Sequence, residues 1–256
     1  MPSLKSIKLL GVNIHLATVE DVLHFIDASL GGDNKTLICH ANVMALNLAY
    51  EQLWFRNFLN SANLVYCDGM GVRFGARLIG YPELPQRFTL ADWIWTLAKF
   101  AAERNYSLFF LGNPLGSAQK AATRLQRTFP ELHMVGTHHG YFDKLAESPE
   151  NQAILTKIEA AHPDILMVGF GMPTQERWIR ENWDAITARL VFPCGAIFEY
   201  VAGDLKRGPG WMTNNYMEWL ARMMISPRRY ITRYLRDNPK FLWRILKQKY
   251  NQWQKR

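Results

Sequence analysis

The run Ile165-Leu166-Met167-Val168 offers no polar position to either side of a strand. A strand that is apolar on both alternating faces is satisfied only inside a sheet covered on both sides. Comparable short runs at 36–39, 64–67, 107–111, 133–136 and 190–192 alternate with helical patterns near 42–59, 71–79, 90–104, 116–129, 149–161 and 174–187. Residues 8–16 read as a strand or small hairpin, and Thr18 with Asp21 resembles a capping box that opens a helix to about Ser29. The expected fold class is α/β, a Rossmann-like and mainly parallel sheet with helices on both faces.

After Gly203 the β signal stops. Pro209, Pro227 and Pro239 punctuate three expected short helices, near 211–225, 228–236 and 240–253. The charge changes at the same place: residues 205–256 carry 13 Lys and Arg against Glu218 and Asp237, a net +11, whereas residues 1–204 carry 17 basic and 20 acidic residues, a net −3. Trp211, Trp219, Trp243 and Trp253 lie in that basic segment, and Trp243, Leu246, Tyr250 and Trp253 recur at helical spacing. Such a stretch suits a partner that is both anionic and apolar, with a membrane surface favoured over single-stranded nucleic acid. The chain therefore divides into an α/β catalytic domain, 1–204, and a basic amphipathic helical membrane-binding appendage, 205–256.

Cys39, Cys67 and Cys194 show neither CxxC nor Cys/His spacing and are expected as buried reduced thiols. His138-His139 lacks a third ligand at zinc-like spacing, so no metal is expected. The N-terminal stretch is broken by Asn13 and His15 and does not read as a signal peptide, and no apolar run approaches a membrane span. The expected location is cytoplasmic and peripheral on the inner face of the cell membrane.

In open α/β sheets ligands bind beyond the carboxyl ends of the strands, so the residues that follow each strand are the candidate site. His40-Ala41-Asn42 offers two hydrogen-bonding side chains, although Asn42 also suits a helix N-cap. In Cys67-Asp68-Gly69-Met70-Gly71, an acid ends an apolar strand ahead of two glycines; it suits a general base or a sugar-hydroxyl contact, and equally a turn. Gly112-Asn113-Pro114-Leu115-Gly116-Ser117 could present amides to a phosphate, but has neither a P-loop ending nor a dinucleotide fingerprint. Gly171-Met172-Pro173-Thr174-Gln175-Glu176 presents Gln175 and Glu176 on a first helical turn, suited to a sugar or base, with a dipole-favoured acid as the plain alternative.

Taken in order, these segments, with Gln86-Arg87-Phe88-Thr89, Phe110-Leu111-Gly112, Gly136-Thr137-His138-His139-Gly140-Tyr141-Phe142, Gly203 to Pro209, Glu218-Trp219, Arg222 and Pro227-Arg228-Arg229, resemble one family. It is that of the bacterial glycosyltransferases that include the N-acetylmannosaminyltransferases of teichoic acid synthesis and the N-acetylmannosaminuronic acid transferase of enterobacterial common antigen. The resemblance covers about residues 7–236. It implies inverting transfer of a sugar from a UDP-sugar donor to a polyprenyl-diphosphate-linked sugar acceptor in surface polysaccharide synthesis, without a required metal or other cofactor. It makes Asp68 the catalytic base, Asn42, Arg87 and Gln175 donor or acceptor contacts, and Arg207, Arg222 and Arg229 the tail arginines that reach the diphosphates. The chain departs from the family at His40, where a small hydroxyl residue is usual, at Gly208 for Ala, and at Phe198-Glu199 for Phe-Asp. These departures leave the donor open among N-acetylmannosamine, its uronic acid and glucose.

The chemistry of the residues agrees. An inverting transfer needs one carboxylate to take the acceptor's proton and positive charge or amide dipoles to meet the leaving diphosphate. A noncatalytic nucleotide-sugar or lipid-binding subunit is the rival, separated by the absence of UDP release. A nucleic-acid binder would show steep salt dependence, but the alternation of basic residues with a Trp/Leu/Ile stripe favours lipid and no nucleic-acid partner.

Overall fold

The computed structural model describes residues 4–81, 89–206, 208, 212, 218–225 and 227–254; from 218 on, side chains are described at 220, 221, 223–225, 227 and 234–254. The chain opens with a hairpin, β1 (Ser6–Leu9) and β2 (Val12–His15), paired antiparallel across Leu10 and Gly11, both at positive φ, as a two-residue turn matched to strand twist requires. Thr18 then caps α1 (Val19–Leu30) with the reciprocal Asp21 bond that its sequence promised. The alternation continues through β3 (Thr36–Ala41), α2 (Val43–Glu51), α3 (Leu53–Ser61), β4 (Leu64–Cys67), α4 (Met70–Leu78), α5 (Leu90–Glu103), β5 (Ser107–Gly112), α6 (Ser117–Thr128), β6 (His133–His138), α7 (Pro149–Ala161), β7 (Ile165–Gly169), α8 (Thr174–Glu181), β8 (Leu190–Pro193) and α9 (Ile197–Ala202). Two helices of the tail follow, α10 (Glu218–Ile225) and α11 (Pro227–Trp253).

The eight strands form one sheet in the order β1-β2-β4-β3-β8-β7-β5-β6, parallel everywhere except in the opening hairpin. Alternate residues of the apolar strands enter two separate cores. Cys39, Val65, Leu166, Val168 and Val191 face one, with helices α2, α3, α4, α7 and α8, while Ile38, Tyr66, Phe110, Met167 and Phe192 face the other, with α1, α5, α6 and α9. This is the doubly covered sheet that the apolar runs demand. All three cysteines are buried and free, and burial pushes their thiols up, Cys67 to about 12.

Several boundaries differ from the sequence pattern. The stretch 42–59 is two helices because Gln52 is extended, donating its amide to Leu48 and accepting from Arg56; the turn carries Phe55, Phe58 and Leu59 into the core. Helix α8 stops at Asn182, whose buried side chain bonds Asn151 and the Trp178 carbonyl. Strand β6 runs two residues beyond Gly136. In the tail, 228–236 and 240–253 are one helix that continues through Pro239. Proline there removes the bond to the carbonyl of Leu235, and both residues lie on the exposed side of the helix.

The apolar residues of α11 divide between two sides of the helix. Phe241 and Ile245 join the main core and press on Gly75 of α4, where a Cβ would come within 2.6 Å of the Phe241 ring. Arg244 donates to Asn47 and Glu51, Asn47 donates to the Asp237 carbonyl, and Gln248 bridges Leu10 and Lys8. The stripe marked in the sequence, Trp243, Leu246, Tyr250 and Trp253, faces outward and is exposed. Among the described residues no helix is long and apolar enough to cross a membrane.

Candidate active site

A cavity of about 520 Å³ opens beyond the carboxyl ends of the parallel strands, lined by His40, Asn42, Asp68, Thr89, Gly171, Gln175 and Glu199 among others. Its position follows from the fold, since every parallel strand delivers its following loop to the same edge of the sheet.

Strands β3 and β4 are neighbours in register, Ala41 opposite Cys67, so the residues just after them meet. Asp68 donates its amide to the Ala41 carbonyl at 2.9 Å, and Asn42 Nδ2 approaches Asp68 Oδ2 at 3.4 Å. Asn42 Oδ1 accepts from Ala45 at 3.0 Å, capping α2, so both roles left open for Asn42 are present together. Asp68 Oδ1 is buried and has no hydrogen-bond partner among the described residues. A buried carboxylate oxygen without a partner is costly and stands ready to accept a proton or hydrogen bond from a ligand.

The opposite wall is tied together by Asn113. Its Nδ2 donates to the carbonyls of Gly169 and Gly195, the latter at 2.7 Å, and its Oδ1 accepts from Glu199 at 3.1 Å. Its backbone donates to Gly169 and accepts from Gly140, both at 2.8 Å. One residue thus joins the loops after β5, β6, β7 and β8, reaching the loop after β6 through its backbone carbonyl and the others through its side chain and amide. Such close approach requires glycine: a Cβ on Gly112 would lie 2.4 Å from the Gly169 oxygen, and one on Gly169 would lie 2.7 Å from Asn113 Nδ2. Gly112 therefore sits behind the cavity as a packing residue, outside its lining.

The phosphate reading of the loop before α6 meets a competing acid from the chain itself. Ser117 Oγ donates to Asp204 Oδ2 at 2.7 Å and Lys120 pairs with Asp204 Oδ1 at 3.1 Å, so the first turn of α6 already holds a carboxylate; these bonds lower the Asp204 pKa. Asp204 of the Gly203-Asp204 motif thereby anchors α6.

Gln175 is buried at the cavity wall, with Oε1 accepting from Gly171 at 3.1 Å and Gly195 at 3.0 Å. Glu176 lies behind it, outside the lining. Beside the mouth, Lys144 lies over the rings of Phe142 and Phe170 at 4.5 and 4.7 Å and donates to the Gly140 carbonyl, which holds the loop after β6 against the loop after β7. Burial lowers the Lys144 pKa.

Of the residues named from sequence, His40, Asn42, Asp68, Gly171 and Gln175 come together around the cavity. Arg87 and Arg207 lie outside the described residues, and Arg222 and Arg229 are on α10 and α11 with side chains that are likewise outside them. Residue-by-residue reading missed the wall built by Cys194, Gly195, Ala196 and Ile197, although β8 is an apolar strand and the same after-the-strand rule points to them. It also missed α9, too short for a clear periodic pattern. No group of three His, Cys, Asp or Glu side chains suited to a metal comes together among the described residues.

The family described as glycosyl transferase WecG/TagA/CpsF matches residues 7–255. The chain is 28% identical over 247 residues to an N-acetylglucosaminyldiphosphoundecaprenol N-acetyl-β-D-mannosaminyltransferase of Staphylococcus aureus (strain MRSA252), covering 95% of this chain and 93% of that protein. A protein of the same name from Bacillus spizizenii is 28% identical over 189 residues, 74% of this chain and 70% of its own length.

Proposed function

The chain belongs to the WecG/TagA/CpsF family of glycosyl transferases, and we propose that it moves an N-acetylmannosamine-type sugar from a UDP-sugar onto a polyprenyl-diphosphate-linked N-acetylglucosamine in cell-envelope polysaccharide synthesis. The names of the relatives supply the sugar and the acceptor. The observation that carries the reading is Asp68 Oδ1, buried at the cavity with no hydrogen-bond partner among the described residues.

In the proposed step an acceptor hydroxyl attacks the anomeric carbon while Asp68 takes its proton, and the bond from that carbon to the UDP oxygen breaks with its electron pair leaving on UDP. Attack from the face opposite UDP inverts the centre, and the β-linkage in the relatives' name is what an α-linked nucleotide sugar gives by inversion. Asn42 holds the carboxylate from its other oxygen. Arg207, Arg222 and Arg229, with loop amides, meet the leaving diphosphate and take the place a metal would otherwise fill, while Arg87 contacts donor or acceptor.

The acceptor of such a reaction resides in lipid. We read the 205–256 segment as the membrane-binding appendage, acting from the cytoplasmic side through the exposed Trp243, Leu246, Tyr250 and Trp253 and their basic neighbours. Radiolabelled transfer with a panel of UDP-sugars and polyprenyl-diphosphate acceptors tests the function. Transfer should occur and Asp68→Asn should abolish it without loss of fold; full turnover by Asp68→Asn removes Asp68 from the mechanism.

A further inference from the structure

Glu176 sits in the first turn of α8, where an acid is favoured by the helix dipole. That explanation is served equally by an exposed carboxylate, yet Glu176 is only 1% exposed. Burying an acid is costly unless its bonds return something specific. The titratable groups that face it are Cys39 of β3 and Cys194 after β8, both thiols kept neutral by burial. No cation is paired with it among the described residues, and burial pushes its carboxyl up to about 7. Its Oε2 has no hydrogen-bond partner among the described residues, while Oε1 accepts from Gln175 Nε2 at 2.8 Å.

The bond to Gln175 decides which way round that carboxamide lies. With Nε2 held by Glu176, Oε1 must face the amides of Gly171 and Gly195, and it accepts from both. The inverted amide would set an NH2 group against two N–H donors, losing both bonds. One Nε2 hydrogen remains unused among the described residues, on a side chain that lines the cavity.

We propose that Glu176 is a positioning residue: its carboxyl fixes the Gln175 carboxamide in the orientation that ties the loops after β7 and β8 and leaves the second Nε2 hydrogen for the donor sugar nucleotide. Glu176 acts through Gln175 and does not itself touch substrate. Its neutral form suits the task, because ionisation would set an unpaired charge beside two neutral thiols and draw both Nε2 hydrogens inward.

The kinetic arm of the test rests on the transferase reading, and a spectroscopic arm does not. In Glu176→Met the Gln175 side-chain amide protons should exchange with solvent about tenfold or more faster by NMR, and the KM for the UDP-sugar should rise about tenfold with kcat nearly unchanged. Glu176→Gln keeps an acceptor for Nε2 and should restore both within about threefold at neutral pH, within ordinary scatter of one hydrogen bond. Unchanged exchange and KM in a folded Glu176→Met, or a Glu176→Gln as impaired as Glu176→Met, overturns the proposal. If Glu176→Met does not fold, the pH profile decides: wild-type kcat/KM should decline as pH rises through the ionisation of Glu176, and Glu176→Gln should lack that decline. A decline identical in both overturns the proposal. A wild type without transferase activity defeats the functional reading alone and leaves the exchange measurement to judge Glu176.

Discussion

Asn42 uses the two ends of one carboxamide on two different structures, donating Nδ2 toward Asp68 Oδ2 at 3.4 Å and accepting the Ala45 amide on Oδ1 at 3.0 Å. The cap and the contact to the proposed base can be separated by substitution. Asn42→Asp keeps a good cap but sets a second carboxylate beside Asp68, whereas Asn42→Ala loses both, the cap alone being worth about 1 kcal/mol. Asn42→Asp should therefore melt close to wild type and transfer sugar about tenfold or more slowly, the scale of one lost charge-assisted contact. Wild-type turnover in Asn42→Asp would show that Asn42 is a cap and nothing more.

Asn113 should be the position where stability and site geometry fail together. Asn113→Ala strands the Gly195 carbonyl and the Glu199 amide, each at about 1–3 kcal/mol when buried. For a chain of this size that is a fall of about 2–4 °C in Tm for each kcal/mol. Asn113→Asp should be worse, because a carboxylate oxygen would face the carbonyls of Gly169 and Gly195. Thermal unfolding and UDP-sugar binding by calorimetry check this; an Asn113→Asp that melts and binds as wild type refutes the clamp.

The sheet was legible because apolar strands are a statement about burial on two faces, and Ile165 to Val168 say it without ambiguity. The edge of the cavity was legible for the same reason, as Asn42 and Asp68 both follow apolar runs. What sequence could not show was how polar side chains divide their bonds. The loop from Gly112 to Ser117 reads as a phosphate cradle until Ser117 and Lys120 are seen to hold Asp204. Gly112 reads as a ligand-facing glycine until the Gly169 backbone is found against it. Pro239 reads as a helix stop, yet on the exposed side of α11 the helix continues through it.

Glu176 gives stability a pH dependence of definite sign. Its native carboxyl, near 7, titrates above the ordinary value of 4.5. Between those values the unfolded chain has released the proton and the native protein has kept it, so its contribution is full below the unfolded value, is lost as pH rises, and levels off above about 7. At 1.36 kcal/mol for each pKa unit the loss is up to about 3 kcal/mol. Urea unfolding at pH 5 and pH 8 should show wild type losing about that much more than Glu176→Gln, other groups cancelling in the comparison. Equal losses in the two proteins would mean that Glu176 is ionised when buried.

The two sides of α11 should answer to different measurements. Removing everything after Gly203 would test membrane attachment poorly, because Phe241 and Ile245 belong to the main core and Arg244 holds Asn47. Point changes separate the faces. Leu242, Leu246 and Trp253 share one exposed side, with Trp243 and Tyr250 beside it. Leu246→Glu with Trp253→Glu should leave Tm unchanged and weaken sedimentation with anionic phospholipid vesicles by at least about tenfold, since each large apolar side chain withheld from lipid forfeits about 1.5–3 kcal/mol and each acid adds repulsion. Phe241→Ala should do the reverse, costing about 3–5 kcal/mol of stability through the void left beside Gly75 while folded molecules still bind vesicles. Vesicle binding that survives the first pair at low and moderate salt would place the lipid contact elsewhere on the chain.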